Sequence, residues 1–157
     1  MLWIYILIAV IAGATAHSFI AAHHGERRTT ELFLVYLLVG YYGVAMLLAA
    51  VVQLLNPEAL AKLKGWPASP PIQTLYVFSL FGLAASAVLA AWWRGTYLLA
   101  PAISGSVLLL GGAYVHGSEV LARGTFSLRR DGPDFLLDFA VPFGVLILAW
   151  RYHRHGA

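Results

Sequence analysis

Cysteine is absent from this chain, and charged residues are scarce. None of the 157 residues is cysteine, and Asp, Glu, Lys and Arg together make up 11% of the sequence. Without cysteine the chain cannot form disulfides, thiolate metal sites or iron–sulfur clusters. Any redox role would depend on a bound cofactor, and no pattern in the sequence identifies one. No internal repeat is visible either, which argues against a transporter built from two matching halves.

Apolar residues dominate what is present. They account for 61% of the chain, a proportion typical of integral membrane proteins. No stretch has the composition of a second, water-soluble domain. The sequence therefore predicts an all-α, polytopic membrane helix bundle that forms one domain over residues 1–157 and crosses the cell membrane several times.

A helix needs about 20 residues to cross a hydrocarbon core of ~30 Å, and this length divides the chain into five predicted spans. The fifth is short and contains Pro142, so four crossings followed by a re-entrant or interfacial tail are the alternative. The tryptophans fall at predicted ends, where interfacial aromatic rings are expected. The predicted spans are residues 2–22, 32–55, 72–93, 97–121 and 135–150.

The formal net charge is +3, which predicts contact with anionic lipid headgroups of the bilayer. No interleaving of basic and aromatic residues indicates nucleic-acid binding. With five spans, the two sides of the membrane receive five Lys or Arg residues each. The positive-inside rule therefore leaves the orientation undecided.

Polar side chains gather at one predicted face of the bundle. His116 and Glu119 end an otherwise apolar segment and share one helix face, because they are three residues apart. Counting ~1.5 Å per residue along alternating helices brings Gln73 and Asp138 to a similar depth, under the loop that contains Trp66. Ionisable groups are costly in a membrane and are therefore candidate functional residues. The predicted ligand-binding residues are His116, Glu119, Asp138, Gln73 and Trp66.

This group of residues is open to more than one interpretation. An imidazole with two carboxylates suits a divalent metal, a proton shuttle or acid–base catalysis. Alternatively, Glu119 and Asp138 lie in the headgroup layer and pair with Arg123 or Arg129.

Two histidines follow glycines at helical spacing. His17 comes four residues after Gly13, and His116 comes four residues after Gly112. Small residues let helices or a flat ligand approach closely, so both imidazoles are expected to face the bundle interior. The alternative is tight packing, with each histidine hydrogen-bonded to a neighbouring helix. The two histidines lie ~20 Å apart along the membrane normal, which disfavours a haem held between them. A similar small-residue stripe through Gly82 is interpreted as packing.

A resemblance adds to this interpretation. Residues 65–70 read Gly-Trp-Pro-Ala-Ser-Pro, Gln73 follows closely, and a glycine-to-histidine pattern ends at His116. These features resemble a family of small bacterial and archaeal integral membrane proteins of unknown function. The resemblance implies that the loop and His116 belong to one structural unit. The chain departs from the family pattern because Pro71 and Ile72 precede Gln73 and no acidic residue follows it.

Three functions are compatible with these observations. The first is a small membrane protein that binds a ligand, lipid, quinone or ion at one face. The second is an accessory subunit that packs against a membrane-protein partner, or against its own copies, through small residues. The third is an enzyme acting on a lipid or isoprenoid, with Glu119 and Asp138 as acid and base.

Overall fold

The computed structural model describes residues 2–20, 26–58, 70–127 and 132–154, and all regular structure within these residues is helical. A π-helical segment, Leu37–Ala45, joins α2 to α3, and the three form one continuous helix, here called the central helix. A 3₁₀ turn, Gly95–Leu98, leads into α5. The α-helices are α1 (Leu2–Ile20), α2 (Glu26–Tyr36), α3 (Met46–Leu55), α4 (Pro70–Leu89), α5 (Leu99–Arg123) and α6 (Gly132–Arg154).

The bundle is built around the central helix. Helices α1, α4 and α6 pack against it, and α5 packs mainly on α6. Because successive helices alternate in direction, α3 and α5 end where α4 and α6 begin. We call this the N-terminal end of the bundle, and the opposite end, where α6 finishes at Arg154, the C-terminal end.

Among the described residues, four helices are long and apolar enough to cross a membrane: Leu2–Ile20, Arg28–Leu55, Gly95–Arg123 and Phe135–Arg154. The apolar part of α4, Gln73–Leu89, is shorter. The predicted all-helical membrane bundle is thus confirmed, with four or five helices suited to spanning. The fifth predicted span, which is short and contains Pro142, is among the four, because α6 continues as a helix through this proline.

Two predicted boundaries are wrong. The central helix begins at Glu26 instead of residue 32, so the polar stretch before the second span is partly helical. An acidic residue in the first turn complements the helix dipole, and Thr30 is buried. Helix α4 ends at Leu89, and the chain turns before Trp93.

The π-helical segment was not predicted, and close packing accompanies it. Tyr41, Tyr42 and Gly43 are all buried, whereas an α-helix of this kind buries residues spaced by three or four. A Cβ at position 43 would lie 2.8 Å from Val88 of α4. Three consecutive residues therefore enter the core, and the absence of a side chain at Gly43 allows α4 to approach.

Large apolar side chains occur both in the core and on the outside. The most buried ones include Leu34, Leu38 and Val145. Outward-facing residues such as Phe78 and Val107 are 62% and 65% exposed. An apolar exterior on many helices is unfavourable in water but suits contact with lipid chains.

Candidate functional site

A hydrogen-bonded histidine and aspartate join α5 to α6 inside the bundle. The His116 Nδ1 lies 2.8 Å from Asp138 Oδ2, and the two side chains are only 19% and 13% exposed. A carboxylate accepts hydrogen bonds, so the imidazole donates its Nδ1–H to Asp138. This pair has the short distance of a charge-assisted hydrogen bond.

His116 and Asp138 lie on the sides of α5 and α6 that face each other. On α6, Asp138 lies on the same helix face as the buried Val141 and Val145. On α5, Gly112 precedes His116 by one turn, and a Cβ at position 112 would lie 3.1 Å from Asp138 Oδ2. The carboxylate therefore occupies the space that the missing side chain of Gly112 leaves.

Pro142 leaves the backbone carbonyl of Asp138 without its usual helical donor. In a regular helix the amide of residue 142 would donate to the carbonyl of Asp138, but proline has no N–H. Pro142 is buried and lies in the interior of α6. The backbone at Asp138 is thus deprived of one helical hydrogen bond beside the carboxylate, which raises the local polarity.

Helix α4 contributes to the same region. The charge of Asp138 acts electrostatically on the Tyr76 phenol. Gln73 lies one turn earlier on the same face of α4 and is partly buried. Tyr76 was missed in the sequence because a tyrosine in an apolar helix is common; its spacing from Gln73 was the available signal.

Glu119 and Trp66 are the remaining predicted site residues. Glu119 is partly buried one turn beyond His116, and Arg123 Nε donates to the Glu119 backbone carbonyl at 3.3 Å. Asp138 contacts His116, and Arg129, one of the arginines in the alternative interpretation, lies outside the described residues. Trp66 and most of its loop lie outside the described residues.

The distances between these side chains bear on whether the site could hold a metal ion. Within the described residues, no three His, Asp or Glu side chains lie close enough together to hold a metal ion. The closest contact between two ionisable groups here joins His116 to Asp138; the roles of Glu119 and Asp138 as acid and base stay a prediction. The hydrogen bond between the two groups reduces the cost of placing them in a low-dielectric bundle.

His17 belongs to a different part of the bundle. Its Nδ1 lies 3.2 Å from the Tyr36 hydroxyl, and a Cβ at Gly13 would lie 3.1 Å from that ring. This fits the packing interpretation, with a hydrogen bond to a neighbouring helix. His17 is itself exposed, and its ring faces Tyr36 of the central helix. At Gly82 a Cβ would meet no atom within 4 Å, so no helix that the structure describes packs closely against that position.

A second polar contact lies deeper in the core. The Tyr42 hydroxyl lies 3.0 Å from Ser106 Oγ, and Ser106 Oγ donates to the Pro142 carbonyl at 3.4 Å. Tyr42 and Ser106 are both almost completely buried. This contact ties the central helix to α5 and α6 near the turn that carries Asp138.

The helices and this polar centre define the class of the protein: a small helical bundle with several helices suited to crossing a membrane. The chain belongs to DUF6790, a family of unknown function, whose model matches residues 1–157. The expected membership in a family of unknown function is confirmed in this coarser form. No curated protein and no solved structure matches the chain.

Proposed function

We propose that this chain is a multi-pass protein of the cell membrane that binds the polar group of a lipid-soluble ligand at the His116–Asp138 pair. The observation that carries the proposal is the 2.8 Å contact between these side chains on the facing sides of α5 and α6. Ionisable groups in a membrane bundle are costly, and they commonly mark ligand, ion or proton sites.

The depth of the pair supports a ligand that enters from the membrane. His116 precedes the end of α5 at Arg123 by seven residues, or ~10 Å of helix. The headgroup layer on each side of a bilayer is on the order of 5–7 Å thick. The pair is therefore proposed to lie just inside the hydrocarbon region, where a lipid or quinone places its polar group.

Aromatic side chains of α6 lie beside the proposed binding site. Phe135 packs near Gly117, with its ring 3.6 Å from the position that a Cβ there would take. Phe135, Phe139 and Phe143 stack in sequence along α6, with ring centroids 5.6 and 6.4 Å apart. Phe139 and Phe143 are 39% and 51% exposed. This row of rings supports contact with an apolar ligand body beside the polar pair.

The test compares molecules that co-purify with the protein in mild detergent. His116→Ala and Asp138→Asn are measured against His17→Ala, which removes the same side chain at the other end of the bundle. Extracted lipids, quinones and metals are quantified per mole of protein by mass spectrometry and elemental analysis. We expect one species to be bound by the unmodified protein and by His17→Ala, and to be lost from both site variants. Equal retention in all four proteins would refute the proposed site.

The accessory-subunit alternative has one specific observation in its favour. Small residues on the outer side of α5 recur every seven positions at Ser104, Gly111 and Ser118, and all three are exposed. A Cβ at Gly111 would meet no atom within 4 Å. Such a seam suits close packing of a second membrane helix, from a partner protein or another copy of this chain. Because the chain lacks cysteine, Ser104→Cys cross-linking in native membranes tests this directly, with Ile103→Cys, which is also exposed, as the control.

A further inference from the structure

The charged side chains that the structure describes at the C-terminal end of the bundle are mostly basic. Among the charged side chains that the structure describes there, one is acidic, Glu31, and four are arginines: Arg28, Arg94, Arg151 and Arg154. Counted over the full sequence with five spans, the N-terminal side receives five basic and five acidic residues, whereas the C-terminal side receives five basic and two acidic residues. The equal division of Lys and Arg in the sequence therefore conceals a difference in local charge.

The four arginines come from three segments that meet. Arg28 is on α2, which packs against α6, and Arg151 and Arg154 are in the last turn of α6. Arg94 lies in the connection before α5, and its Nε is 3.9 Å from Glu31 Oε1 on α2. Glu31 cancels one of the four positive charges, so the described side chains at this end keep a net charge of +3.

Tryptophans mark this end as a membrane boundary. Trp92, Trp93 and Trp150 are 70%, 56% and 58% exposed, and amphipathic rings of this kind concentrate at headgroup depth. The Arg154 guanidinium lies 4.8 Å from the centroid of the Trp150 ring. A guanidinium over an aromatic face keeps its N–H groups in its own plane, where they can donate to a phosphate.

We propose that the C-terminal end of the bundle binds the phosphodiester headgroups of anionic phospholipids. Positive charge on three converging segments supplies the attraction, and the exposed tryptophans place that charge beside the headgroup layer. The site is separate from the His116–Asp138 pair, which lies near the opposite end. The proposal also orients the chain, with its C-terminal end in the leaflet richer in anionic lipid.

The test titrates the purified full-length protein, in neutral detergent, with dioctanoyl phosphatidylglycerol and with dioctanoyl phosphatidylcholine. Binding is followed by native mass spectrometry for the unmodified protein, Arg28→Gln and Arg154→Gln. Arg123→Gln is the matched control, because it removes the same charge at the other end. Each of the two test substitutions should weaken phosphatidylglycerol binding about fivefold. The control should stay within about twofold of the unmodified protein, and phosphatidylcholine binding should be weak throughout.

Salt provides a readout that needs no substitution. Raising the ionic strength from about 0.05 M to about 0.5 M should weaken phosphatidylglycerol binding by the unmodified protein about tenfold or more, because exposed charges are screened. Inorganic phosphate at the lipid concentration should not displace the lipid. The proposal is overturned if phosphatidylcholine binds equally well, if Arg123→Gln matches the test variants, if salt has no effect, or if free phosphate competes fully.

Discussion

Gly112 of α5 lies directly against the Asp138 carboxylate of α6, where a Cβ at position 112 would be 3.1 Å from Oδ2. One turn further along α5, His116 forms its 2.8 Å contact with the same oxygen. Gly112, which has no side chain, and His116, which donates a hydrogen bond, therefore both contact the Asp138 carboxylate from α5. The position of Asp138 depends on both.

Gly112→Ala should disturb this contact. The added methyl group presses on Asp138, and overpacking of a close helix contact costs on the order of 1–3 kcal/mol. Gly111→Ala is the matched control, because a Cβ there meets no atom within 4 Å; its stability should be unchanged or up to about 1 kcal/mol higher. Thermal unfolding in detergent measures both variants. Equal effects at the two positions would contradict the close approach of Asp138 to α5.

The His116–Asp138 pair should show strong coupling in a double-mutant cycle. Removing either partner alone leaves a partly buried polar group without its main contact, which costs on the order of 1–3 kcal/mol. The double variant His116→Ala, Asp138→Ala should be less destabilised than the sum of the single variants. Unfolding free energies in a denaturing-detergent titration provide the values. Strict additivity would show that the contact contributes nothing to stability.

The Tyr42–Ser106 contact should respond unequally to removal of its two partners. Tyr42→Phe leaves Ser106 bonded to the Pro142 carbonyl, so the loss should be about 1 kcal/mol. Ser106→Ala removes the hydrogen-bond partner of the buried Tyr42 hydroxyl, and the loss should reach about 1–3 kcal/mol.

Tyr114→Phe is the control for this pair of variants, because Tyr114 is 78% exposed. Its unfolding midpoint should match that of the unmodified protein. A larger loss in Tyr42→Phe than in Ser106→Ala would mean that the Ser106–Pro142 contact does not form.

Single-cysteine labelling should place the two ends of α6 on opposite sides of the membrane. The chain has no cysteine, so Thr125→Cys before α6 and His153→Cys near its end each give one reactive site. A membrane-impermeant maleimide applied to sealed, oriented vesicles should label one variant from outside and the other only after permeabilisation. Labelling of both from the same side would support four crossings with a returning tail.

Composition and spacing were sufficient for the helical class and for the approximate positions of the spans. In lipid a spanning segment must satisfy its own backbone hydrogen bonds. A long apolar run therefore predicts a helix without knowledge of its neighbours. Even Pro142 did not interrupt α6. Boundaries were less predictable, because charged residues at Glu26 and beyond continue the central helix in a way that apolar length does not reveal.

The identities of residues in contact depended on the tertiary structure. Sequence spacing predicted that Gly112 and His116 share a face of α5, and depth counting brought Asp138 near them. That Asp138 contacts His116 depends on how α5 and α6 rotate against each other. The π-helical register that buries both Tyr41 and Tyr42 is likewise set by packing against α1, α4 and α5.

The sequence alone therefore determined the all-helical membrane class and the concentration of costly polar groups at one depth, because both follow from local backbone chemistry and residue spacing. Only the tertiary structure selected which imidazole meets which carboxylate and set His17 against Tyr36. These relationships depend on helix rotation and on contacts between distant segments, which no local pattern contains.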